Sequence, residues 1–268
     1  MDREKEPFLN LYDALSPYYD VVFPVKKPVV DFLAGQFGHP AGKILLDAAC
    51  GTGGHALALA ERNFSVVGID LHPHMIEQAR NKAAQLKTYS GNRPRFEVMD
   101  MEAVHPEKLG RWDGVYCIGN SLPHLLDVER MRATLQTWER GMNQHSEQRI
   151  IIQVVHFVKV LREGGQLPTL EGKASEAHIR FERRYEPEPS GTIRFLTNLS
   201  ITQEKEEGTI AEEDGQNWTA ETRLLPLSAD DLETMLRSLG YRNLQWYGDL
   251  TGKPLTESSP AVVVSAGK

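Results

Sequence analysis

The sequence predicts an α/β fold, an open and mostly parallel sheet with helices on both faces. Three observations carry the prediction. Apolar runs of strand length alternate with amphipathic helical stretches through the first half of the chain. Several of those runs end on an acid, Asp47, Asp70 and Asp100. The densest run, Gln148 to Val158, is apolar at nearly every position, as a strand covered on both faces must be.

Ile44 to Ala83 is the most informative stretch. Ile44 to Leu46 meets Asp47 and a turn of small residues, Ala48-Ala49-Cys50-Gly51-Thr52-Gly53-Gly54, before helical spacing begins at Ala56. Ser65 to Ile69 then ends at Asp70, and Met75, Ile76, Ala79 and Ala83 mark the next helical face. Gly51 and Gly53 permit a backbone closed to bulkier residues and let the loop press against a flat ligand such as a nucleoside. Two nucleoside readings fit. Gly51-Thr-Gly53-Gly-His-Ala56 matches a dinucleotide fingerprint, with Asp70 near the place of a ribose-binding acid. Asp47 favours the other, because a carboxylate beside the loop repels a pyrophosphate and attracts a cationic amine.

Asp47-Ala-Ala-Cys-Gly51-Thr-Gly53 resembles the first motif of the class I S-adenosylmethionine-dependent methyltransferases. The resemblance implies a Rossmann-like, seven-stranded sheet and S-adenosylmethionine as cofactor. It further implies that Asp47, Ala49, Cys50, Gly51 and Gly53 border the methionyl part, that Asp70 takes the ribose hydroxyls, and that Asp100 meets the adenine amine; capping of the turn or short helix that follows is the other reading of Asp100. Leu71, Met75 and Met101 can wall the ring. Ala49 stands where that family usually has glycine, and an ordinary backbone angle is expected there. Gly119-Asn120-Ser121-Leu122-Pro123-His124-Leu125, after the strand Trp112 to Ile118, is similar to the loop of the glycine and sarcosine N-methyltransferase group. Ile118 and Asn120 are then expected at the cofactor and His124 near the acceptor. Asn and Ser are equally plain turn residues.

Leu9 to Phe23 reads as a helix broken at Pro17, and in similar enzymes such a segment closes over the cofactor through a Tyr-Asp pair, here Tyr19-Asp20. Packing by Tyr12, Tyr18 and Tyr19 is the alternative. A helix follows at Lys26 to Phe37. Arg95 to Met99 is a short strand, Glu102 to Lys108 a short helix, and Val128 to Met142 a longer one.

From Leu170 three alternating segments, AHIRFERRYEP, GTIRFLTNLSITQE and QNWTAETRLLPL, predict an antiparallel sheet inserted into the core. Its arginines, 180, 183, 184, 194 and 223, are read mainly as solvent-facing, with a substrate carboxylate as the sharper alternative. The chain returns through a helix capped by Ser228 and two final strands. The expected organisation is a lid at 1–25, a core at 26–169 and 226–268, and the inserted sheet at 170–225 covering the acceptor.

A net charge of −7 argues against nucleic acid and acidic membranes as partners. The N-terminus lacks a signal-peptide core, so a cytoplasmic protein is expected. Cys50 and Cys117 are expected as buried reduced thiols, and no metal site is expected. Homo-oligomerisation is left open. Methyl transfer to a small molecule needs orientation and, for an amine, loss of one proton before attack. His124, Tyr19 and His156 are the candidate bases in that order. The rival readings are a nicotinamide-dependent oxidoreductase and a catalytically silent cofactor-binding protein.

Overall fold

A computed structural model describes residues 6–86, 92–144, 147–175, 177–203 and 215–268. The polar stretch at 204–214 and residues 1–5 lie outside the described residues. Contacts divide the chain into two compact units, one of residues 25–159 with 225–268 and one of 1–24 with 160–224.

The larger unit is the α/β layer. In chain order it holds α3 (Lys27–Phe37), β1 (Ile44–Ala48), α4 (Gly54–Ala60), β2 (Ser65–Asp70), α5 (Pro73–Gln85), β3 (Arg95–Val98), α6 (Pro106–Leu109) and β4 (Gly114–Cys117). There follow α7 (Val128–Arg140), β5 (Arg149–Val155), α9 (Ala229–Ser238), β10 (Asn243–Tyr247) and β11 (Ala261–Gly267). The strands form one sheet in the order β10-β11-β5-β4-β1-β2-β3, with β11 antiparallel to both neighbours. Residue alternation sends successive side chains to opposite faces, and two cores result. Leu45, Val66, Phe96, Tyr116 and Val263 pack with α3, α4 and α5 on one face. Leu46, Val67, Val115, Ile152 and Val264 pack with α7 and α9 on the other. The order reverses between β1 and β4, so their carboxyl ends border the crevice where open sheets of this kind bind ligands.

The smaller unit contains α1 (Glu6–Leu15), a 3-10 turn (Ser16–Tyr18), α2 (Tyr19–Val22) and a four-stranded antiparallel sheet, β6 (Leu170–Ala174), β7 (Ala177–Pro187), β8 (Ile193–Gln203) and β9 (Gln216–Leu224). Leu11, Leu15 and Val22 close on Ile179, Phe181, Leu199 and Ile201 from the inner face of that sheet. The opposite face carries ion pairs, Arg180 with Glu171 and Glu182, Arg194 with Glu186, and Arg223 with Glu188.

Some sequence expectations need correction. The sheet has four strands rather than three, because β6 hides its character behind Gly172. A side chain there would meet Val21 Cγ1 at 2.2 Å, so glycine is required where α2 crosses the strand. The helix expected at Glu102 to Lys108 shrinks to Pro106–Leu109, since Asp100 Oδ1 accepts the Glu102 N–H at 2.9 Å and closes a turn first. The run at Gln148 to Val158 is a strand only to Val155, and α8 (Phe157–Arg162) begins within it. A short apolar run does not separate strand from buried helix by periodicity.

The Ser228 cap forms as expected. Its hydroxyl accepts from Asp231 N at 3.1 Å while the Asp231 carboxylate accepts from Ser228 N at 2.8 Å, a reciprocal capping box. Ser228→Ala is expected to lower unfolding free energy by about 1 kcal/mol in urea denaturation, with an unchanged m-value.

Candidate functional site

The site is built from turns at the carboxyl ends of β1, β2, β3 and β4. Gly51 and Gly53 both sit at positive φ, 55° and 74°, and a Cβ on Gly53 would strike the Phe96 ring at 2.5 Å. Two conditions, left-handed backbone and closeness to the next layer, therefore demand glycine. Ala49 meets the first condition without being glycine. Its φ is 64°, which corrects the expectation of an ordinary angle and places about 1 to 2 kcal/mol of local strain beside the loop.

Asp70 binds this loop to the next one. Its Oδ2 accepts the Gly51 N–H at 2.8 Å and its Oδ1 accepts the His72 N–H at 2.9 Å. Burial raises the Asp70 carboxyl from its ordinary value, opposed by those backbone donors. Asp47 lies deeper, only 2% exposed, and its Oδ2 accepts the Tyr116 hydroxyl at 2.9 Å from the register neighbour on β4. Burial pushes its carboxyl up to about 8, the Tyr116 hydrogen bond pulls against that, and nearby Asp70 adds a further push.

The loop after β4 is held to β5 by side chains. Gln153 Oε1 accepts the Gly119 N–H at 2.7 Å, and Asn120 Oδ1 accepts the Val155 N–H at 2.9 Å. Gly119 and Asn120 have φ of 88° and 68°, and asparagine is among the residues that tolerate the left-handed region. His124 follows on a 3-10 turn (Leu122–Leu125), half-buried. His156 stands just past β5 with Nδ1 3.0 Å from the Ser259 carbonyl, which fixes the proton on Nδ1 because a carbonyl only accepts.

Leu71 and Val98, at the ends of β2 and β3, are 53% and 46% exposed, whereas Met75 is buried in the α5 face and Met101 is half-buried. A strand valine looks like core in the sequence, and only the pairing of Val98 with Asp70 on β2 places it at the site. Gln153 is hidden for a similar reason, as a polar position inside an apolar strand. Asp100 closes its own turn, and Ile118 is buried at the β4 end. Cys50 and Cys117 are free thiols, both pushed up by burial, Cys117 to about 12. Tyr19 belongs to the smaller unit, where its ring lies 4.9 Å from Phe23 in the apolar cluster. The geometry thus gathers Asp47, Ala49, Cys50, Gly51, Gly53, Asp70, Ile118 and Asn120 on neighbouring strand ends.

Residues 45–145 match the family model described as a methyltransferase domain. The chain is 30% identical over 219 residues to a glycine/sarcosine N-methyltransferase of Halorhodospira halochloris, covering 82% of this chain and 73% of that protein. It belongs to the class I S-adenosylmethionine-dependent methyltransferases. A glycine/sarcosine/dimethylglycine N-methyltransferase of Actinopolyspora halophila is 26% identical across 81% of this chain, which spans 34% of that protein's length. A crystal structure of an S-adenosylmethionine-dependent methyltransferase from Clostridium acetobutylicum superposes with a TM-score of 0.71 at 17% identity, covering 96% of this chain and 99% of that one, and shows the same fold. The oxidoreductase and silent-binder readings find no support among these matches. Among the described residues no helix is long and apolar enough to cross a membrane.

The chain's donor set suits the cofactor of its family. A buried acid can ionise against an incoming cation, the loop beside it is made of small residues, and two apolar side chains stand open at the adjacent strand ends. Because the Ala49 backbone is already left-handed, Ala49→Gly in this methyltransferase is expected to raise unfolding free energy by about 0.5 to 1 kcal/mol, read by chemical denaturation.

Proposed function

We propose that this methyltransferase transfers a methyl group from S-adenosylmethionine to the nitrogen of a small-molecule amine. The observation that supports the acceptor class is identity to a protein named as a glycine/sarcosine N-methyltransferase across most of both chains. When bound, the cofactor supplies an electrophilic methyl group on a sulfonium, ready for in-line displacement.

The chain's own residues then have three tasks. Asp47 meets the ammonium group of the methionyl part, Asp70 the ribose hydroxyls through lone pairs its backbone donors leave open, and Asp100 the adenine amine. Leu71, Val98 and Met101 flank the ring. An attacking amine must be neutral, and His124 takes its proton, with His156 Nε2 as the second choice because its Nδ1 is committed to Ser259.

The charge state of Asp47 gives this reading a pH signature. In the free protein a carboxyl raised from 3.8 to about 8 folds with its proton on. Its contribution to stability is complete below pH 3.8 and is lost as pH rises through about 8. Binding an ammonium needs the ionised form, so binding expels a proton. Cofactor affinity is expected to rise by up to about tenfold per unit between roughly pH 6 and pH 7.5. Calorimetry in buffers of different ionisation enthalpy counts the released proton, and Asp47→Asn should flatten the slope. A wild-type affinity that is level across that range would sink the Asp47 assignment.

His124→Asn is expected to lower turnover about 10² to 10⁴-fold at saturating cofactor and leave cofactor affinity within about twofold. Full turnover by this variant, on an acceptor confirmed with the wild type, would move the base role to His156 or to desolvation alone.

A further inference from the structure

Strand alternation divides the arginines of the four-stranded sheet into two kinds. Arg180, Arg184, Arg194 and Arg223 each pair with a glutamate. Arg183 differs from them. It shares the inward face of β7 with Ile179, Phe181 and Tyr185, all buried, opposite buried Thr197 on β8. Its guanidinium carbon lies 5.7 Å from the ring centroids of both Phe23 and Phe181.

Only part of this head group is satisfied. Nη2 donates to the Pro168 carbonyl at 2.8 Å, while Nε is buried with no acceptor. Among the described residues no carboxylate pairs with Arg183. Attraction to ring faces steadies the positive charge but leaves the Nε–H donor unused, since it needs an acceptor oxygen in the guanidinium plane. Burial accordingly pulls the Arg183 side chain below its ordinary pKa, with the neighbouring Tyr185 and Tyr12 opposing. What the position lacks is one anionic, two-oxygen acceptor, and what surrounds it is aromatic.

We propose that Arg183 anchors a carboxylate-binding site within this unit, one that takes a small molecule whose carboxylate is carried on an apolar body. The site stands on the geometry of β7 and of Phe23 just after α2, and is independent of the reading of the acceptor. The carboxylate belongs either to the methyl acceptor or to a separate ligand, and the test distinguishes these sources.

The full-length protein is labelled with ¹⁵N-arginine, and the Nε–H signal of Arg183 is assigned by its loss in Arg183→Lys. Acetate is titrated with acetamide as neutral isostere and chloride as ionic control. A saturable shift of this one signal is expected with acetate, at a dissociation constant of about 10 mM or below, and none with either control. Arg183→Met keeps the stem between the rings and should weaken acetate at least about tenfold, leaving S-adenosylmethionine affinity and the unfolding midpoint unchanged. Adding sarcosine as probe then names the source: displacement of acetate assigns the site to an amino-acid acceptor, and undisturbed acetate assigns it to a separate carboxylate ligand. A signal unmoved by acetate, or moved equally by chloride, overturns the site whether or not the enzyme methylates amines.

Discussion

The carboxylate of Asp70 holds two backbone turns at once, and the site depends on that bridge. One oxygen fixes the Gly51 amide in the loop after β1, the other fixes the His72 amide at the start of α5. Charge-assisted bonds to backbone donors are among the stronger hydrogen bonds available to a side chain. Their effect here is to set the left-handed run at Ala49, Gly51 and Gly53 against β2 before any ligand arrives. A loop prepared in this way loses little further freedom on binding.

Around that bridge the chain keeps several unfavourable features close together. Asp47 is buried and accepts the Tyr116 hydroxyl, Ala49 holds a backbone angle that disfavours its own Cβ, and Asn120 does the same after β4. Each is fixed by its surroundings rather than by its own preference. Leu45, Val66 and Tyr116 form a packed face behind Asp47, and Gln153 and Val155 pin the loop that contains Asn120. Local strain of this kind persists where the neighbouring structure over-determines it, and it concentrates at functional sites. The smaller unit shows the same economy at Arg183, where a cation is retained on an apolar face with an unused donor.

Much of the architecture could be read from the chain. Alternating runs gave the parallel strands, the acids at 47, 70 and 100 marked their carboxyl ends, and Ser228 marked the start of its helix. Failures came where one residue type serves two purposes. Gly172 interrupts the alternation that would mark β6 as a strand, and it is the close approach of Val21 that requires it. Phe157 and Val158 extended an apolar run whose backbone had already turned to helix. Val98 and Gln153 were invisible because exposure and partnership at those positions are set by other strands.

The sequence by itself determined most of the strands and helices of the larger unit, the glycine loop with its acids and the family to which the motifs point, because period, capping and turn chemistry act over a few residues. Tertiary structure decided the rest. Tyr116, 69 residues from Asp47, fixes how that acid is held. Asp70 sets the angle of a loop 19 residues before it. Among similar-looking arginines, Arg183 faces inward between the rings of Phe23 and Phe181, which distant parts of the chain bring together, while its neighbours form ion pairs. Burial, protonation and unmet hydrogen bonds belong to groups of residues brought together from distant parts of the chain, so they have no expression in any short stretch of it.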